Sequence, residues 1–381
     1  MQTEMSYTDD FMMLKSLFEK GMNEIDIGDS GITVFNMGFS SSIATMEFMN
    51  KDDLSIPENL SFSYPLFAPA DRSSGKVILL LHGLNERSWT KYLAWAYDLA
   101  RSCGSYVILF PISFHINRSP SLWKDPRVMA GEAKARQAGV EHNILTSCAN
   151  VALSRRLHDD PLRFFSSGYQ TADDLVKLLT GIRNGEHPLI PGNSRVDIFA
   201  YSIGAFLAEI MMMGNPGGLF DASRLFLFCG GSVFSNMNGR SKLIMDSAAF
   251  DRVYSYYMKD FENEVKKRDL QDGIPWSGML AMAFRSMIDL ARFRIFREKR
   301  LRLLDGRIRS IALAGDSIIP PGGIISTLGH LFPGKKEVVD VVDFPFPSSH
   351  ENPFPVFDKR LSPLVDESFK RIFSSAATFF A

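Results

Sequence analysis

Cysteine is scarce in this chain of 381 residues: there are three, Cys103, Cys148 and Cys229. Three scattered thiols cannot build a disulfide framework, and no Cys-x-x-Cys spacing marks a structural zinc. Each lies in an apolar or helical context, which reads as a buried free thiol. Excess charge is missing too. Lys and Arg number 42 against 43 Asp and Glu, a formal net charge of −1. That balance gives no electrostatic basis for binding nucleic acid or an anionic membrane. No apolar run is long enough to span a bilayer, so stable membrane insertion is not expected. Residues 1–21 carry acids early and no basic stretch before an apolar core, so no signal peptide is read and the expected location is cytoplasmic. Repeats and low-complexity tracts are absent. No His, Asp and Glu cluster has metal-ligand spacing, so neither a metal nor another cofactor is expected.

What is present is 45% hydrophobic and 22% charged, enough for a globular protein with a large core. Residues 9–20 read as a helix with Phe11, Leu14, Leu17 and Phe18 on one face. Three strand-like pieces follow at 31–39, 43–49 and 60–67, spaced as an antiparallel meander. Short continuous apolar runs then recur at 76–81, 106–110, 196–201 and 225–229. Later ones stand at 307–314 and 336–344. Such runs are the mark of strands buried on both faces. Helical patterns at 88–101, 171–183 and 206–213 separate the earlier ones, which implies a parallel sheet with right-handed crossovers. Residues 128–157 read as a broken helix. Residues 233–305 hold no convincing strand and read as helices near 242–268 and 277–304. A final helix is expected over 363–373.

The sharpest local signal is Val196-Asp197-Ile198-Phe199-Ala200-Tyr201-Ser202-Ile203-Gly204-Ala205. A β-branched, apolar strand ends at a serine flanked by small residues two positions away on each side, and a helix follows. A tight turn that lifts a hydroxyl to its apex brings backbone close on both sides, so those positions must lack bulk. His82-Gly83-Leu84-Asn85 closes an earlier buried strand. Asp316 follows the strand at 307–314 and precedes Ile318-Ile319-Pro320. His350 lies in a proline-rich loop after the last strand.

Taken together these positions resemble the α/β-hydrolase superfamily, and the resemblance covers most of residues 60–375. Ser202 with Gly204 matches its nucleophile elbow, with Ala200 in place of the first glycine. The order Ser202, Asp316, His350 is the order the superfamily uses for its triad. His82-Gly83 resembles the motif that precedes an oxyanion donor. The resemblance therefore implies backbone donors at Leu84 and Ile203. The implied architecture is α/β, a mostly parallel central sheet of about eight strands with helices on both faces and a helical cap insertion. Residues 61–232 and 306–381 form the core, 233–305 the cap, and 1–60 a helix-and-strand extension.

The implied activity is serine-dependent hydrolysis of an ester or thioester, with an amide also open. The expected partner is a small ester-like molecule with an apolar acyl or aryl group, since the cap is rich in methionine and aromatics. Oligomeric state is not readable. The alternative is a non-catalytic binding protein that keeps the fold. A carbon–halogen or epoxide hydrolase would need aspartate at the elbow, which Ser202 disfavours. His115 and Arg118, after the strand at 106–110, are candidates for the substrate pocket. The basic run from Arg292 to Arg302 reads as the solvated side of a packed helix.

Overall fold

The computed structural model describes residues 6–42, 49–141, 143–268, 278–332 and 338–381. Among them nine strands form one sheet. These are β1 Glu24–Asp26, β2 Thr33–Ser40, β3 Ser61–Ala68, β4 Lys76–Leu81, β5 Tyr106–Leu109, β6 Arg195–Tyr201, β7 Leu225–Phe228, β8 Ile308–Leu313 and β9 Val339–Val342. Their spatial order is β1-β2-β3-β5-β4-β6-β7-β8-β9. The first three run antiparallel, and from β5 onward every pairing is parallel. The apolar runs β4 to β7 occupy the middle, buried on both faces as a parallel sheet requires. With β4 and β5 exchanging places and a sharp strand-to-helix turn after β6, this is the α/β-hydrolase fold.

Two apolar layers cover the sheet. On one side lie the helices Tyr7–Phe18, Thr90–Cys103 and Ser362–Phe380. The last presents Val365, Phe369, Ile372, Phe373, Ala376 and Phe380 at helical spacing, all buried. Trp95 is fully buried there, with Phe199, Tyr201, Phe228 and Phe354 edge-on around it. Such pairs add about 0.5–1.5 kcal/mol each beyond their burial. On the other side lie Leu162–Arg183, Ile203–Gly214 and Met279–Ser286.

Outside those layers two segments, residues 126–159 and 241–255, pack on each other beside the carboxyl end of β4. Helix Ser247–Ser255, from the long helical stretch, packs on helix Val151–Asp159. The buried Arg136–Asp246 ion pair locks the two segments together, with Nε 2.5 Å from Oδ2. Asn143 and Thr146 also donate to Asp246, so the carboxylate stays well hydrogen-bonded out of water. Asn85, at the end of β4, donates to Ala149 O at 2.9 Å and to Leu243 O at 2.7 Å. One side chain thus ties both segments down beside the sheet.

Several expectations are corrected. The helix expected from residue 171 begins at Leu162, and Asp174 sits in its middle, where burial is compensated by Arg118 rather than by a helix end. The basic run is a solvated face only in part: Arg294, Lys299 and Arg302 are exposed, but Arg297 is buried and donates to the carbonyls of Ser286, Asp289, Leu290 and Arg292. Its neighbour Ile295 is 85% exposed. The helix expected over 277–304 is two helices, Met279–Ser286 and Arg294–Arg302, broken where Phe293 takes φ +48°. Cys229 is buried, whereas Cys103 and Cys148 are only half-buried. The strand expected at 43–49 falls almost wholly outside the described residues, and so do residues 336 and 337 of the last strand. No helix among the described residues is long and apolar enough to cross a membrane.

Candidate active site

The turn after β6 is built by exclusion of bulk. Ser202 takes φ +58° and ψ −124°, a conformation that L-residues rarely adopt and that costs about 1–3 kcal/mol. Its amide donates to Phe228 O at 3.3 Å, which ties the apex to β7. A Cβ on Gly204 would meet the carbonyl oxygens of Leu81 and His82 at 2.6 and 2.7 Å. Backbone atoms cannot give way, so glycine is required there. Helix Ile203–Gly214 starts at once, and its first amide has no partner within the helix.

Three side chains from distant parts of the chain meet at this apex. Ser202 Oγ lies 2.7 Å from His350 Nε2, and His350 Nδ1 lies 2.7 Å from Asp316 Oδ2. A carboxylate oxygen only accepts, so Nδ1 carries the proton and Nε2 accepts from the serine hydroxyl. Asp316 Oδ1 in turn accepts from the amides of Ile318 at 2.9 Å and Ile319 at 3.0 Å. The Gly315-Asp316 turn and the apolar residues after it aim those two amides. All three side chains are buried. Asp340 instead pairs with Arg309 at 2.6 Å, and Asp343 is exposed.

The His350 loop is held by residues that the motif does not name. Tyr201, next to Ser202, donates its hydroxyl to His350 O, and the two rings stack at 5.5 Å. Lys91 donates to Glu351 O at 2.9 Å, lies 4.7 Å from the centre of the Tyr201 ring, and pairs with Glu86. Tyr92 donates to Glu86 at 2.6 Å and accepts from the Gly83 amide at 2.9 Å. Burial first, then the nearby Glu86, pushes the Tyr92 phenol well above its ordinary range, so it stays a neutral donor. The available signal for Tyr201 was its place beside Ser202. Lys91, Glu86 and Tyr92 carry none, because they meet the site only through the fold.

His82 organises the turn after β4. Its Nδ1 donates to Gly83 O at 2.8 Å and its Nε2 accepts from Ile112 N at 2.9 Å, so both ring nitrogens are occupied. Burial holds it neutral, with its pKa lowered to about 3. Gly83 approaches Tyr201 so closely that a Cβ would lie 3.1 Å from its ring. The amides of Leu84 and Ile203 make no hydrogen bond to other groups among the described residues. Leu84 borders two hollows. A polar cleft holds Ser202, His350, Glu86, Arg87 and Glu351. An apolar pocket is walled by Ile112, Ile203, Phe206, Leu280 and Phe284.

His115 lines the apolar pocket, but Arg118 does not. Arg118 is fully buried and pairs with Asp174 at 2.8 Å. It also donates to Asn59 and Pro111 O, and its guanidinium lies 4.1 Å from the Phe62 ring centre. It is a strut between β3, the loop after β5 and helix Leu162–Arg183, and burial lowers even its pKa to about 10. The other described histidines serve elsewhere. His187 accepts two backbone amides, and His330 pairs with Glu298 at the surface. No group of three or more His, Cys, Asp or Glu among the described residues could hold a metal ion.

Residues 46–381 match the model of a family of unknown function, DUF6051. No curated protein matches the chain. Among solved structures, it is similar to carboxyl esterase 2 of the fungus Tuber melanosporum, at 10% identity and a TM-score of 0.47, covering 93% of this chain and 88% of that one. It is also similar to a cold-adapted esterase from an Arctic intertidal metagenomic library, at 11% identity and a TM-score of 0.42, over 92% and 96% of the two chains. A third likeness is to the acylaminoacyl peptidase of Pyrococcus horikoshii, at 12% identity and a TM-score of 0.44. It covers 96% of this chain and 42% of that one. The fold assignment rests on the strand order and the elbow.

Proposed function

We propose that this chain, which belongs to the DUF6051 family, is a serine hydrolase that cleaves an ester or thioester. The observation that carries the reading is the buried relay from Ser202 through His350 to an Asp316 carboxylate fixed by two backbone amides. Ser202 Oγ attacks the substrate carbonyl carbon while His350 Nε2 takes the hydroxyl proton. Asp316 holds the imidazole in the tautomer that can do so and stabilises the cation that forms. The developing oxyanion is met by the amides of Leu84 and Ile203, fixed before charge appears. His350 then gives its proton to the leaving group. Water attacks the acyl-enzyme by the same path in reverse. No cofactor takes part.

The apolar pocket suits the acyl side, and the polar cleft suits the departing alcohol or thiol. On this reading 61–232 and 306–381 carry the chemistry, 233–305 forms the cap, and 1–60 is an extension of the sheet and its helical layer. Helices Pro126–Gly139 and Val151–Asp159 belong functionally with the cap, since the second packs on it and the first is tied to it by the Arg136–Asp246 pair. Three free thiols suit a reducing compartment, and we place the protein in the cytoplasm.

The test is labelling of the pure protein by a fluorophosphonate. Ser202 is the expected site, and Ser202→Ala should lose both labelling and esterase turnover while unfolding at the wild-type temperature. Folded wild-type protein that resists the probe would favour a non-catalytic binding protein instead.

A further inference from the structure

The proposed chemistry needs three parts in one geometry: Ser202 on its turn, the amides of Leu84 and Ile203, and the base His350. Ser202 and Ile203 are fixed where β6 meets the helix that follows it. Leu84 and His350 instead sit on loops, residues 82–88 after β4 and 349–353 after β9. No hydrogen bond among the described residues runs directly between those two loops.

Lys91 bridges them. Its Nζ donates to the Glu86 carboxylate of the first loop and, at 2.9 Å, to Glu351 O of the second. It lies 4.7 Å from the centre of the Tyr201 ring and 5.0 Å from that of Tyr92. Tyr201 precedes Ser202 and donates to His350 O, while Tyr92 accepts from the Gly83 amide. One ammonium therefore meets the nucleophile's neighbour, the loop of the oxyanion donor and the loop of the base. Its three N–H groups are matched by a carboxylate, a carbonyl and two ring faces. The Lys91 side chain is 16% exposed and that of Glu86 20%, so water competes little for these contacts.

Helix stability does not account for the lysine. Lys91 is the second residue of helix Thr90–Cys103, whose first turn holds no acid. A cation at a helix N-terminus works against the helix dipole. What favours it there is the set of acceptors around its Nζ.

We propose that Lys91 is a positioning residue for the hydrolysis: its ammonium clamps the loop that carries the Leu84 amide and the loop that carries His350 together around Ser202. This rests on the hydrolase reading above. Lys91 lines neither the polar cleft nor the apolar pocket. Its loss should therefore spare substrate binding. The cost should fall on the transition state, where the oxyanion and the imidazolium must be met at once.

The experiment compares wild type with Lys91→Met, which keeps the stem and removes the ammonium, on a p-nitrophenyl ester. A misplacement of about 1 Å costs up to roughly 10²-fold, so kcat should fall by roughly 10–100-fold while KM stays within about twofold. The melting temperature should not drop. An aryl trifluoromethyl ketone adds to Ser202 as a hemiketal: Oγ bonds the carbonyl carbon, the hydroxyl proton passes to His350 Nε2, and the carbonyl oxygen becomes the oxyanion. Its affinity should fall in step with kcat/KM. Lys91→Arg keeps charged donors toward both loops and should recover most of the loss. Lys91→Gln, neutral and shorter, serves if Lys91→Met does not fold, and its kcat should fall as well. Two outcomes would overturn the proposal while leaving the hydrolase standing. One is wild-type kcat in a folded Lys91→Met or Lys91→Gln. The other is a loss that tracks a lowered melting temperature and is not recovered in Lys91→Arg. Wild-type protein that neither turns over any ester nor takes the fluorophosphonate would end both readings.

Discussion

At the residue scale the site is a matter of which lone pairs and protons are fixed. Asp316 is the clearest case. One oxygen holds the His350 proton on Nδ1, and the other is pinned by Ile318 and Ile319 amides. Asp316→Asn keeps the shape but can donate to Nδ1, which moves the imidazole proton to Nε2 and takes away the base. Steady-state assays with a p-nitrophenyl ester should show kcat down by roughly 10⁴. Asp340→Asn touches only the half-exposed pair with Arg309, and kcat should stay within about tenfold of wild type. A severe loss in Asp340→Asn with Asp316→Asn near normal would move the acid to the last strand. Ser202, Asp316 and His350 were legible because each ends or follows a strand in a local context that the chemistry itself demands. Arg118 was misread for the opposite reason. Its partners Asp174 and Asn59 lie 56 and 59 residues away, and nothing local distinguishes a buried strut from a pocket cation.

At the element scale, continuous apolar runs announced β4 to β7, and the small residues around Ser202 announced the turn. The helical cover was harder to read. Helix Arg294–Arg302 packs on helices Met279–Ser286 and Ile203–Gly214 and turns Arg297 onto the carbonyls of 286–292, so it buries an arginine and exposes an isoleucine against its own apolar pattern. Helix Met279–Ser286 shows the consequence for substrate choice. Phe284 lines the apolar pocket against Phe206, whereas Met282 does not line it and its sulfur meets Arg285. Phe284→Ala should shift kcat/KM toward longer acyl chains relative to acetate by about tenfold, as the pocket deepens. Met282→Ala should leave the chain-length profile unchanged. Equal responses to both truncations, measured over an acetate-to-decanoate series, would mean that the cover packs without shaping the pocket.

At the scale of the whole molecule, the first helix belongs to the layer that closes the far side of the sheet. Its spacing of Phe11 and Leu14 was readable, but its partners were not, because helices Thr90–Cys103 and Ser362–Phe380, which it meets, lie far along the chain. Tyr7 stacks on Phe369 at 4.1 Å, and Thr8 N donates to Asp366 at 2.9 Å. This closure buries Asp10, whose Oδ1 has no partner. Burial raises its pKa to about 7. Arg101 opposes the rise, and Asp98, Asp9 and Asp366 add to it. The sign of the stability effect follows. Below about pH 4 the carboxyl is protonated in both folded and unfolded chains. Between about 4 and 7 the folded chain still holds the proton that the unfolded chain has lost, so rising pH costs stability. Above about 7 the folded state carries a poorly solvated charge and the penalty is complete. Asp10→Asn carries no such charge at any pH. It should match wild type in urea unfolding near pH 4 and exceed it by about 1–2 kcal/mol at pH 8, after allowing for water that screens part of the site. A variant less stable than wild type at pH 8 would mean that the ionised carboxylate is satisfied where it sits, and that the junction between the two chain ends tolerates the charge.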